Sequence, residues 1–133
     1  MTTMAVQYLG ELRTEATHLA SGSTLLTDAP KDNQGKGEAF SPTDLLASSL
    51  ASCMFTIMGI RARALGVDLA GMSCEVEKMM QASPRKVAEI RVRVQWSQLA
   101  LTEAQRTELK QAALTCPVYL SLDPQLVKTI LWE

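Results

Sequence analysis

An α+β fold built around one long apolar helix is what the sequence predicts, and three observations carry that expectation. Leu45–Ile60 (LLASSLASCMFTIMGI) is the longest stretch without a charge, and its apolar and small residues read as a helix. In Lys86–Trp96, Ile90, Val92, Val94 and Trp96 alternate with Arg91, Arg93 and Gln95, as a half-buried strand requires. Along the chain the segments run strands, helix, strands, helix, strand, which is an α+β succession. With 133 residues the chain can build one core, so a single domain over residues 1–133 is expected.

Each element has a local reason. Ala5–His18 alternates in short runs broken at Gly10, which predicts a hairpin, and Ser23–Thr27 predicts a further short strand. Asp28–Phe40 (DAPKDNQGKGEAF) collects Pro, Gly, Asn, Asp and Lys and predicts a long loop, of the kind that more often serves function than idles. Ser41-Pro42-Thr43-Asp44 opens the long helix: Ser41 as N-cap, Pro42 at the first position, where its missing N–H costs nothing, and Asp44 closing a capping box. That helix is expected to reach about Leu65, with Arg61 and Arg63 complementing the dipole and Gly66 ending it.

Met72–Met80 and Lys86–Trp96 predict a second hairpin around Ala82-Ser83-Pro84-Arg85. Thr102 and Gln105 predict a capping box for an amphipathic helix that ends near Leu114. Pro117 disfavours continuing that helix, and a short turn or helix at Leu120–Gln125 is expected before a last strand, Val127–Trp132. Because Leu45–Ile60 carries apolar or small residues on nearly every face, this helix is expected to be enclosed. A chain of this size does that best as a homodimer.

Composition narrows the function. Thirteen basic and fourteen acidic residues leave a formal charge of −1 with no Lys/Arg stripe, so no nucleic-acid partner is expected. Leu45–Ile60 is 16 residues long and holds four hydroxyl side chains, short of the roughly 18 apolar residues of a membrane span, so no membrane association is expected. The N-terminal MTTMAVQYLGELR has neither the basic nor the apolar region of a secretory signal, which predicts a cytoplasmic, reducing environment.

Cys53, Cys74 and Cys116 form no Cys-x-x-Cys pair, and an odd number is a poor disulfide framework. In a reducing compartment such cysteines are either inert core residues or redox-active ones. Cys53, about a dozen residues into the apolar helix, fits a small core residue; to be reactive it needs a nearby cation, since a free thiol is only a few per cent thiolate at pH 7. Cys116, before Pro117, fits either a helix-end packing residue or a thiol able to approach another element. Cys74 reads as structural. A metal site of Cys53, Cys116 and His18 lacks the short ligand spacings of zinc motifs, so no metal is expected. Gly35-Lys36-Gly37 is not a phosphate loop, and no G-x-S-x-G setting is present.

FSPTDLLASSLASCMFTIMG at Phe40–Gly59 and TCPVYLSL at Thr115–Leu122 resemble the OsmC/Ohr family, whose members include thiol-dependent organic hydroperoxide reductases. Pro42, Asp44, Leu45, Leu46 and Cys53 match a Pro-x-acid-Leu-Leu helix opening followed by a cysteine, and Cys116-Pro117 matches the family's second motif. The resemblance extends over nearly the whole chain. It implies an OsmC-like fold: an intertwined homodimer with a long central buried helix against antiparallel sheets and active sites at the subunit interface. It also implies that Cys53 attacks an organic hydroperoxide and becomes a sulfenic acid, that Cys116 resolves it as a disulfide, and that an external dithiol reduces the bridge. Neither a metal nor a flavin or other cofactor is implied.

In two places the sequence departs from that family. The family carboxylate that orients an activating arginine stands ten residues before the cysteine, where this chain has Thr43; Asp44 is one residue off and about half a turn from Cys53. Glu38 is the alternative carboxylate. Arg13 is the first choice for the arginine, with Arg61 or Arg63 of a partner subunit behind it. The missing carboxylate feeds a rival expectation: an OsmC-like protein that binds an apolar small molecule at the dimer interface and reduces nothing.

Overall fold

The computed structural model describes all residues, Met1–Glu133. The chain divides into two compact units, Met1–Leu46 and Ala47–Glu133. In the first, β1 (Met4–Gly10), β2 (Arg13–His18) and β3 (Thr24–Asp28) form an antiparallel sheet in sequence order. Gly10 breaks the first hairpin as expected: it sits at φ +87° and leads into a turn where Glu11 and Leu12 both adopt left-handed backbone. The β2–β3 register sets Arg13 opposite Asp28. Val6, Tyr8, Leu25 and Leu26 of this sheet are exposed, so it has almost no buried apolar side of its own.

The loop after β3 holds one 3-10 turn, Lys31–Asn33, and folds back on the strand end. Gly37 N–H donates to Ala29 O and Asp28 N–H to Phe40 O. Gly35 is obligatory here, because a Cβ on it would overlap the Ala29 carbonyl.

Helix α1 runs Pro42–Leu65. Its start is the capping box read from the sequence: Asp44 N–H donates to Ser41 Oγ (3.0 Å) and Ser41 N–H to Asp44 Oδ2 (2.9 Å). Its end is a Schellman turn, with Gly66 at φ +70°, Gly66 N–H on Arg63 O and Val67 N–H on Ala62 O. Ala47, Leu50, Ala51, Met54, Met58 and Ala62 are buried, a spacing of three and four that lines one face. Leu46 and Ile60 remain exposed, so one chain does not enclose the helix on all sides. By length and hydropathy alone α1 is long and apolar enough to cross a membrane, more so than its uncharged stretch suggested. Its buried face nevertheless belongs to the protein core.

In the second unit, β4 (Ser73–Ala82) and β5 (Arg85–Gln95) form the expected hairpin, and β6 (Val127–Trp132) joins β5. The β5–β6 ladder is parallel, so this sheet is mixed rather than wholly antiparallel. The long connection through α2 (Glu103–Ala113) and α3 (Pro117–Ser121) makes that possible, because only a crossover of a dozen residues or more can return a strand in parallel. A bulge opposite Met79 and Met80 leaves Ala88 unpaired, and so Val87 and Ile90 both face inward despite their odd spacing.

Ile90, Val92, Val94 and Trp96 share one buried cluster with the α1 face and with Leu109, Ala113 and Cys116. The outer face is solvated through Arg91–Glu77 and Arg93–Glu75 pairs. Thr102 caps α2 through the predicted box with Gln105. One expectation needs correcting. Pro117 does more than stop a helix, since it occupies the first turn of α3, and the short helix lies at Pro117–Ser121 rather than Leu120–Gln125. Proline is favoured at that position because its missing N–H has no helical partner to lose.

Candidate functional site

Two groups of side chains stand out, one in each unit. In the second unit Cys53 and Cys116 both belong to the core cluster and are near enough for Cys53 to help raise the Cys116 thiol. Cys53 lies on α1 beside the buried Met54 and is half-buried, while Cys116 is completely buried at the N-cap of α3. Pro117 starts the helix one residue later, and this turns the first free amides back onto the Cys116 sulfur: Tyr119 N–H donates to Sγ at 3.2 Å, and Val118 N–H also favours its anion. Burial works against that anion and prevails, so the Cys116 thiol is pushed up. All three cysteines are reduced.

Cys74 is opposite Val94 on β4 and packs against the core, where burial pushes its thiol up as well. Arg61 is paired with Glu108 of α2, and Arg63 is exposed near the end of α1. His18 bonds Ser21 Oγ through Nδ1 (2.6 Å) on an exposed strand end. No group of three or more His, Cys, Asp or Glu side chains converges at metal-binding spacing.

In the first unit Arg13 meets two carboxylates. Its Nε and Nη2 donate to Asp28 Oδ1 (3.0 Å) and Oδ2 (2.8 Å), a bidentate pair, and Nη2 also donates to Glu38 Oε1 (3.1 Å). Asp28, completely buried, accepts the Glu38 N–H as well (2.9 Å). The hydrogen bond from Arg13 holds the Asp28 carboxyl down at about 2, and Asp28 in turn raises Arg13 well above the usual guanidinium range. Arg13 and Glu38 are thus brought together, while Asp44 is engaged in the α1 capping box. Sequence reasoning passed over Asp28. The signal was available in the hairpin register, which places a carboxylate directly across from Arg13 at the end of β3.

Acid should expose this cluster. A carboxyl whose folded value lies near 2, below its ordinary value of 3.8, adds stability that is fully present above pH 4 and lost as the pH falls toward 2. Asp28→Asn is therefore expected to flatten the pH dependence of the urea midpoint between pH 4 and 2. An acid limb as steep as that of the unsubstituted protein would show that another group carries it.

A family model for OsmC-like protein matches residues 35–130, which include both Cys53 and Cys116. The chain belongs to the OsmC-like family. This OsmC-like protein is 50% identical to a Psychrobacter arcticus 273-4 protein described as one of osmotic stress induction and detoxification response. The match covers 100% of this chain and 96% of that one, with a TM-score of 0.95. An organic hydroperoxide resistance protein OsmC from Legionella pneumophila shares the fold at 17% identity and TM-score 0.77, over 100% and 98% of the two chains. So does the organic hydroperoxide resistance protein OhrB of Bacillus subtilis, at 18% identity and TM-score 0.65, over 99% and 98%. No curated protein sequence gives a significant match.

Proposed function

We propose that this OsmC-like protein is a thiol-dependent peroxidase that reduces organic hydroperoxides with Cys53 and Cys116. The observation that supports the reading is that these two thiols are neighbours in the core cluster, near enough for one to shift the other's ionisation, with Cys53 the more exposed partner. The Cys53 thiolate attacks the terminal peroxide oxygen, the O–O bond breaks, and the departing alkoxide takes a proton to leave as alcohol, with Cys53 oxidised to the sulfenic acid. Cys116 then attacks the Cys53 sulfur, and the sulfenic hydroxyl leaves with a proton as water, closing a disulfide. An external dithiol returns both sulfurs to thiols by exchange. No metal or organic cofactor takes part.

Arg13 is held by the carboxylates of Asp28 and Glu38, and Asp44 keeps the helix start. Cys53 packs against the apolar core cluster, which favours a bulky apolar peroxide over hydrogen peroxide, since a small polar substrate cannot use apolar contact. The working form is a homodimer in the reducing cytoplasm. Exposed Val6, Tyr8, Leu25 and Leu26 on one sheet and Ile60 on α1 support a second copy, and a sedimentation mass of one 14.5 kDa chain would count against it.

The test is stoichiometric. Reduced protein is mixed with cumene hydroperoxide or hydrogen peroxide, and sulfenic acid and disulfide are mapped by mass spectrometry against time. A Cys53–Cys116 disulfide is expected to form rapidly with the organic peroxide and slowly with hydrogen peroxide. Cysteines that oxidise no faster than free thiol would leave instead a protein whose pocket binds an apolar molecule without reducing it.

A further inference from the structure

We infer that the Nη1–Nη2 edge of Arg13 is a receptor for the carboxylate of a small organic acid, and that Glu38 is a built-in competitor which such an acid displaces. A guanidinium offers two bidentate edges, Nε with Nη2 and Nη1 with Nη2. Asp28 fills the first, accepting from Nε at 3.0 Å and from Nη2 at 2.8 Å. The second is met at one point: Nη2 donates to Glu38 Oε1 at 3.1 Å, and Nη1 donates to no protein group.

The two acids are held very differently. Asp28 is completely buried and also accepts the Glu38 N–H at 2.9 Å, so it fixes the guanidinium plane from within the fold. The Glu38 side chain is 63% exposed and that of Arg13 31%, so the part of the guanidinium open to a ligand is its second edge. The loop backbone is fastened without the Glu38 carboxylate: Asp28 N–H donates to Phe40 O (3.0 Å), Gly37 N–H to Ala29 O (3.2 Å), and the Glu38 N–H stays on Asp28. The Glu38 side chain can therefore swing out while the receptor keeps its shape. An exposed ion pair is weak, and the exchange gains a contact, because two parallel bonds from Nη1 and Nη2 replace the single one that Glu38 makes.

Neighbouring charges select the ligand. Lys36 stands close enough to help hold the Asp28 carboxyl down, and it adds a second cation beside Arg13. Asp28, and Glu15 two residues along the same face of β2, oppose a second negative charge. A planar monocarboxylate suits this edge better than a dianionic phosphate.

Nuclear magnetic resonance of the nitrogen-15-labelled protein tests the assignment. Sodium acetate or sodium benzoate is added at pH 7, with sodium chloride keeping the ionic strength constant, and the Arg13 Nε–H resonance and the backbone amide at position 38 are followed. Both are expected to shift saturably. Glu38→Gln, which removes the competing charge, is expected to bind either acid about fivefold more tightly, and Arg13→Lys, which keeps the charge but loses the fork, about fivefold more weakly. The proposal is overturned if the shifts grow without saturation, as a response to salt alone would, or if Glu38→Gln binds no more tightly. Phosphate binding more tightly than both acids at the same ionic strength would overturn it too. Where Arg13→Lys fails to fold by far-UV circular dichroism, the Glu38→Gln contrast and the Arg13 resonance decide. No readout involves a thiol, so a protein inert to peroxide that still shows the Glu38→Gln contrast sinks the peroxidase reading alone.

Discussion

Cys53→Ser is expected to abolish consumption of organic hydroperoxide, to the background of free thiol or below. A serine hydroxyl is far weaker than a thiolate as a nucleophile at neutral pH, and no second thiol has the same combination of exposure and neighbour: Cys116 is completely buried and Cys74 packs against the core. Cys116→Ser should behave differently. One equivalent of peroxide is consumed, Cys53 is trapped as its sulfenic acid, and turnover with a dithiol falls because the internal disulfide cannot form. A single-turnover assay with dimedone labelling distinguishes the two variants. Equal loss of turnover from Cys74→Ser would show that the working pair has been misassigned.

Leu50→Ala is expected to cost about 2–5 kcal/mol of stability, the range for a truncated buried leucine. Leu50 is completely buried on the α1 face that carries Met54 and Met58, within the cluster that includes Ile90, Val92 and Cys116. The loss is cavity and transfer energy together, and it is read as a lower urea midpoint with an unchanged slope. A shift below about 0.5 kcal/mol, the scale of ordinary surface changes, would mean that this face is not the centre of the core. The variant also bears on the site, since the same helix presents Cys53 three residues on.

Much of this was legible beforehand because it is local. The Ser41–Asp44 and Thr102–Gln105 boxes, Gly66 after α1 and the alternation in β5 are short-range patterns whose chemistry is complete within a few residues, and the structure forms each of them where the sequence places it. The family, too, was legible, because two separated motifs, at Phe40–Gly59 and at Thr115–Leu122, have to occur together.

Other features depend on long-range placement. Nothing in residues 82–133 alone says that β6 returns parallel to β5; that follows from how α2 and α3 carry the chain across. Pro117 was read as a breaker because a proline forbids a helix behind it, yet the same geometry begins one ahead, and the chain direction is chosen by where Cys116 is buried. Asp28 is a loop-boundary acid in the sequence and becomes a buried bidentate partner of Arg13 only through hairpin register and the loop that folds over it.

By itself, then, the sequence determined the strands and the two longer helices and how those helices are capped, since those depend on neighbours a few residues away, while the pairing of Cys53 with Cys116 came from the family resemblance. The tertiary structure decided that Cys53 and Cys116 are neighbours in one core cluster, that Cys116 is the buried member, and that Arg13 is bound by Asp28 as well as Glu38. Those residues stand 15 to 63 positions apart, brought together by packing and register rather than by local propensity.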